Sequence, residues 1–196
     1  FAGNNTNRQI VLSGDWTFNP ASTPTLAHTI TFNGTNNQLI TGKMSTGARL
    51  IFNKPNGSSI VLGNAISVSR FTLTAGVLDV GTHLLTAATR TFTTGRIRLA
   101  GANWNSNFSG AITQPASGTI EYYALGNQTI NNVNYPGNLE LTGSGVKTFI
   151  GISGATTTVG RNFTVESGVT ANVGSGTNVF TISGQTNISG TLNLVG

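Results

Sequence analysis

The chain has 196 residues, with ten Lys or Arg against five Asp or Glu, a net charge of +5 and no cysteine. That excludes disulfides, a thiolate nucleophile and cysteine-ligated metals, and no apolar run approaches the ~20 residues a membrane-spanning helix needs. Gly, Thr, Asn and Ser make up about half of the sequence, yet Ile, Leu, Val and Phe recur among them in short alternating runs. The polar half therefore reads as turns and solvent-facing strand positions of a folded all-β protein, not as disorder.

The chain opens at Phe1 with neither a methionine nor a signal-peptide pattern, and is expected to be a piece of something longer. In chain order, apolar residues of period two mark strands at Ile10–Leu12, Thr29–Phe32, Gln38–Ile40, Arg49–Phe52, Ile60–Leu62, Phe71–Leu73 and Leu78–Val80. They continue at Ile97–Leu99, Thr119–Tyr122, Asn138–Leu141, Phe163–Val165 and Val169–Val173. Ala75-Gly76, Ser153-Gly154, Ser167-Gly168, Ser183-Gly184 and Ser189-Gly190 punctuate the runs as turns. No window carries a capped helical period.

These runs repeat. Ile10-Val-Leu-Ser-Gly-Asp-Trp16 returns as Ile97-Arg-Leu-Ala-Gly-Ala-Asn-Trp104, and Leu192-Asn-Leu-Val-Gly196 begins a third copy. Thr29-Ile-Thr-Phe before Gln38 returns as Thr119-Ile-Glu-Tyr before Gln128, and Arg49-Leu-Ile-Phe as Asn138-Leu-Glu-Leu. Phe71-Thr-Leu-Thr-Ala-Gly-Val returns as Phe163-Thr-Val-Glu-Ser-Gly-Val. The organisation expected is unit one over 1–95, unit two over 96–191 and a third begun at 192–196. Short strands at such close spacing predict a parallel β-solenoid, in which coils of ~20 residues stack at ~4.8 Å with Thr and Asn outward and apolar residues inward. Two tandem immunoglobulin-like sandwiches of ~90 residues are the competing fold.

The ten basic residues are scattered along the chain, and only Arg96 and Arg98, alternating with Ile97 and Leu99, are expected to share a strand face; no nucleic-acid partner is expected. The five acids, Asp15, Asp79, Glu121, Glu140 and Glu166, do not cluster in sequence, which argues against the calcium-binding or paired carboxylates of a polysaccharide-active enzyme. His28 and His83 lack neighbours at ligand spacing. No metal, cofactor or catalytic group is expected. The ligand-binding candidates are Trp16, Trp104 and Tyr123, whose rings could stack on sugars; for the two Trp, core packing is the favoured alternative. Tyr122 and Tyr123 must face opposite sides of a strand, with Tyr122 inside and Tyr123 out. The Thr-x-Thr strings at Thr29, Thr72 and Thr91 suggest an ice-binding array, but their sequence spacing does not fit a regular coil.

The runs Asn138-Leu-Glu-Leu-Thr-Gly-Ser-Gly-Val-Lys-Thr-Phe149, Val159-Gly-Arg-Asn-Phe-Thr-Val-Glu-Ser-Gly-Val169 and Ile182-Ser-Gly-Gln-Thr-Asn-Ile-Ser-Gly-Thr-Leu-Asn-Leu194 resemble repeats of giant bacterial cell-surface adhesins. The nearest likeness is to the gliding-motility adhesins exported by the type 9 secretion system, and a more distant one is to β-helical autotransporter passengers. The resemblance implies an extracellular filament or stalk at the bacterial cell surface. It would mediate attachment or gliding through surface glycans or a substratum, packed against other repeats of the same long chain. It implies no catalytic residues. A carbohydrate-binding module on a β-helix is the second expectation, and a polysaccharide-active β-helix enzyme the third.

Overall fold

A computed structural model describes residues 8–18, 28–55, 57–110, 112–131, 134–150, 156–174 and 179–194. The first copy of the repeat forms β1 (Gln9–Leu12), β2 (Trp16–Phe18), β3 (Thr29–Phe32), β4 (Gln38–Gly42), β5 (Arg49–Asn53), β6 (Ser59–Leu62), β7 (Ile66–Ala75), β8 (Val77–Gly81) and β9 (Leu85–Phe92). The second begins with β10 (Gly95–Leu99), a single helical turn α1 (Trp104–Asn107), β11 (Gly118–Tyr122), β12 (Gln128–Asn131), β13 (Asn138–Leu141) and β14 (Gly145–Ile150). It continues through β15 (Thr156–Val159), β16 (Phe163–Val165), β17 (Val169–Val173), β18 (Val179–Ile182) and β19 (Thr186–Ile188), and β20 (Thr191–Leu194) carries the start of the third. The Ser153-Gly154 turn and the Val195-Gly196 end of the third copy lie outside the described residues.

Every strand pairing among the described residues is parallel. A nine-stranded sheet, β2-β4-β6-β8-β10-β11-β13-β16-β19, runs through both copies; beside it lie the five-stranded sheet β1-β3-β5-β7-β9, the four-stranded sheet β12-β14-β17-β20 and the pair β15-β18. This is a β-solenoid. The tandem-sandwich alternative needs antiparallel sheets and is set aside. Nine strands make eight steps of ~4.8 Å, so the long sheet measures about 38 Å along the stacking axis.

The inward positions are those the period-two runs predict. Ile30, Phe32, Leu50, Phe52, Phe71, Leu73, Leu78, Ile97, Leu99, Ile120, Leu139, Leu141, Phe163 and Val165 are buried in one continuous cluster that crosses the boundary between the copies. Full burial of each such side chain contributes about 1.5–3 kcal/mol. Coil length is less regular than the predicted ~20 residues. Ser59 pairs with Val77, Thr29 with Arg49, Gly95 with Gly118 and Leu139 with Phe163, so the step ranges from eighteen to twenty-four positions. The longer Gly95–Gly118 coil holds the turn α1, which the sequence reading missed. Its signal was a cap: Asn103 Oδ1 accepts a hydrogen bond from Ser106 N at 3.0 Å.

The two copies do not occupy the same faces. Thr29–Phe32 lies in the five-stranded sheet and its counterpart Thr119–Tyr122 in the nine-stranded sheet. Arg49–Phe52 and Asn138–Leu141 are displaced in the same way, as are Phe71 and Phe163, and Ile10–Leu12 and Ile97–Leu99. Where copy one continues onto the nine-stranded sheet, copy two continues onto the four-stranded one, at Gln128, Thr148 and Val169. Leu192–Leu194 of the third copy is again one sheet further on, in β20. Each copy starts one face later around the solenoid than the last, because copy one supplies nine strands to two alternating sheets.

Glycine is required where neighbouring turns stack. Gly95 has φ +104°, and a Cβ there would lie 2.3 Å from the carbonyl oxygen of Gly76 in the coil beneath.

Candidate functional site

The charged side chains that are far apart in sequence meet on the outer face of the nine-stranded sheet. Leu78, Val80, Ile97, Leu99, Ile120, Tyr122, Leu139 and Leu141 face the core, so the alternate residues Asp79, Arg96, Arg98, Glu121 and Glu140 face out. Register sets Asp79 beside Arg98, Arg98 beside Glu121, and Glu121 beside Glu140. Two carboxylates directly opposite each other repel, and Arg96, one pleat away, bridges them. Its Nη1 donates to Glu121 Oε2 at 2.8 Å and its Nη2 to Glu140 Oε1 at 3.0 Å. Arg98 donates from Nε to Glu121 Oε2 at 2.9 Å and from Nη1 to Asp79 Oδ2 at 3.0 Å. Thr142 Oγ1 adds a hydrogen bond to Glu121 Oε1 at 2.8 Å.

Tyr123 closes this band. Its hydroxyl donates to Asp79 Oδ1 at 2.6 Å, and the Arg98 guanidinium lies 4.2 Å from its ring centroid. Burial raises the Tyr123 phenol well above its ordinary range, and the Asp79 carboxylate raises it further. Burial also pushes the Glu121 carboxyl up, but the hydrogen bonds from Arg98, Arg96 and Thr142 outweigh that and hold it below the usual range. Burial likewise works against the Arg96 and Arg98 cations, and their carboxylate partners outweigh it, so both are held more firmly protonated. The band is thus a ladder of three carboxylates and two arginines closed by Tyr123, with Glu121 held ionised, both arginines charged and Tyr123 neutral. Its three carboxylates are committed to arginine, and Glu121 is held low, where a general acid must be raised. Among the described residues no group of three His, Asp or Glu is placed to hold a metal ion.

The acids do not cluster in sequence, but stacking brings three of the five together in space, through register that unequal coil lengths hide. Asp15 is elsewhere, its Oδ1 accepting from Leu39 N at 2.8 Å, and Glu166 is exposed at a turn.

The aromatic candidates separate. Trp104 is buried in α1, its ring 5.0 Å from that of Phe108 and its Nε1 donating to Gly110 O at 3.0 Å, so it presents no open face. Trp16, on β2, is half-buried and stacks on Phe18 at 6.2 Å. Tyr122 is fully buried, its hydroxyl 3.3 Å from that of Tyr135, while Tyr123 is partly exposed within the band.

Two further expectations change on the five-stranded sheet. The Thr strings do align, since register places Thr31, Ile51, Thr72 and Thr91 in one column, with Ile51 interrupting the hydroxyls. The basic residues are not all dispersed either, because Arg49 and Arg70 stand directly opposite each other on β5 and β7. No protein-family model, curated protein or solved structure is found to match the chain.

Proposed function

We propose that the chain is a structural and adhesive module of a large extracellular protein at a bacterial cell surface, a stiff segment that presents a surface and transmits force during attachment or gliding. One observation carries this reading: the nine-stranded parallel sheet and its core pass without a break from one copy of the repeat into the next. An architecture that lengthens by adding coils, each contacting only its neighbours, suits a stalk. The module's partners are further repeats of the same long chain on its ends and glycans or another substratum on its sides. It is not an enzyme in this reading, because each of the three clustered carboxylates is engaged in an ion pair with arginine.

The test is location and attachment together. Antibodies to this segment should label intact, unpermeabilised cells of the organism that makes it, and deleting the segment from its parent gene should lower attachment under flow. Labelling that appears only after permeabilisation would overturn the proposal.

A further inference from the structure

The strands β1, β3, β5, β7 and β9 of the five-stranded sheet contain no Asp or Glu, yet the outer face carries Arg49 and Arg70. Both are exposed and lie in register on adjacent strands, which are about 4.8 Å apart. Among the described residues neither guanidinium has a carboxylate partner; the ion pairs all belong to Arg96 and Arg98. Like charges directly opposite each other on a sheet are destabilising. On the nine-stranded sheet the equivalent conflict, Glu121 beside Glu140, is relieved internally by Arg96. On the five-stranded sheet it is left for something outside the described residues to relieve.

The surroundings indicate what that is. Next to the arginines run Thr31, Thr72 and Thr91, with Thr29 and Thr89 extending the arginine column itself on either side. The result is a face with two guanidinium forks in its centre and, apart from Ile51, hydroxyls around them. Guanidinium forks take carboxylate or sulfate groups in bidentate fashion, and threonine hydroxyls both donate to and accept from sugar hydroxyls. The five strands present no Trp or Tyr on which nucleobases could stack, and two arginines are too few for a phosphate-backbone track.

We propose that the outer face of the five-stranded sheet binds an anionic polysaccharide, with Arg49 and Arg70 together holding its carboxylate or sulfate groups and the flanking threonines its hydroxyls. This names the partner class of the surface module proposed above and rests on that reading for its setting, while its test needs only the purified chain.

The purified protein would be passed over immobilised polygalacturonate, dextran sulfate and neutral dextran at low ionic strength, with duplex DNA as a competitor. Retention is expected on one or both anionic matrices and not on neutral dextran; which one retains it separates carboxylate from sulfate recognition. The double variant R49Q/R70Q should bind about tenfold more weakly, the loss of one or two charge-assisted contacts. K43Q/R161Q removes two exposed charges elsewhere and should bind like the parent. The polysaccharide should also raise the melting temperature of the parent but not of R49Q/R70Q, whose own melting temperature should equal or exceed that of the ligand-free parent. Equal weakening in both double variants, no retention on either anionic matrix, or DNA displacing the polysaccharide through the same two arginines would overturn the proposal. Retention by purified protein together with failure of surface labelling would instead count against the cellular location alone.

Discussion

Lys147 Nζ donates to Gln128 Oε1 at 2.8 Å inside the coil stack, and Lys54 Nζ donates to Gln38 Oε1 at 2.6 Å in the first copy. All four side chains are buried. In each copy the glutamine links three successive coils. Gln128 Nε2 reaches down to Leu99 O at 3.2 Å and Gly101 O at 2.8 Å, its Oε1 accepts from Ala124 N at 3.0 Å within its own turn, and the lysine comes from the coil above. Gln38 reaches Leu12 O and Gly14 O, and accepts from Gly34 N, in the same pattern. The turns that must leave backbone carbonyls facing inward are thus satisfied by side chains from neighbouring coils.

Replacing Lys147 should therefore be costly although it forms no ion pair among the described residues. Its Nζ also donates to Ala124 O at 2.7 Å and Gly126 O at 3.0 Å, so Lys147→Met would leave three acceptors short of a donor, the buried Gln128 Oε1 among them. We expect a loss of about 1–3 kcal/mol in denaturant unfolding, the usual range for leaving a buried polar group unsatisfied. Thr148→Ala, at a half-buried position on the same strand, should lose under about 1 kcal/mol. Equal losses would mean that the ammonium does not bind the turn.

The same residue sets an alkaline dependence. Burial lowers the Lys147 ammonium to about 8, from an ordinary value of 10.5. Between those two values the unfolded chain holds a proton that the folded chain has released, so stability rises as pH rises through this window and is flat below it as far as this group is concerned. The melting temperature, measured from pH 7 to about 10, should climb in the parent relative to Lys147→Met. A parallel pair of curves would contradict the assignment.

The fold was legible wherever one face of a strand is apolar. Phe71 and Leu73, Ile97 and Leu99, and Phe163 and Val165 announce inward positions by alternation alone, and Tyr122 against Tyr123 follows from the pleat. The polar interior was not legible, because Gln38, Lys54, Gln128 and Lys147 read as surface residues until three coils are stacked. The ion-pair band was hidden for a related reason. Asp79 to Arg98 spans nineteen positions, Arg98 to Glu121 twenty-three and Glu121 to Glu140 nineteen, so no constant period aligns them. The pairing of Arg49 with Arg70, twenty-one apart, escaped notice in the same way.

The band makes the protein sensitive to acid as well. Glu121 is held ionised below the usual carboxylate range, burial opposing and its arginine and threonine partners prevailing. Its stabilising contribution is present above the unfolded-state value and is lost as pH falls through the lower folded one. Glu121→Gln should cost about 1–2 kcal/mol near neutral pH, reduced from the cost of a fully buried pair because the arginine side chains are about a third exposed. It should also flatten the acid limb of the stability curve. An unchanged acid limb in urea titrations from neutral to acid pH would show that another carboxylate governs it.

Strand phase can be tested with neighbours on β16. Phe163 is fully buried, with ring centroids 6.3 Å from Phe149 and 5.2 Å from Phe180, while Thr164 faces outward beside Glu140. Phe163→Ala empties a site enclosed by other rings, which cannot collapse without breaking their own contacts, so the expected loss is about 3–5 kcal/mol. Thr164→Ala removes a half-solvated methyl and hydroxyl and should change stability by less than about 1 kcal/mol. Phe71, its counterpart one face earlier, is equally buried against Phe52 and Phe108, so Phe71→Ala should match Phe163→Ala. Agreement between the two Phe variants, with Thr164→Ala nearly silent, is what a repeat that advances around the axis requires: the faces change from copy to copy, and the inward positions do not.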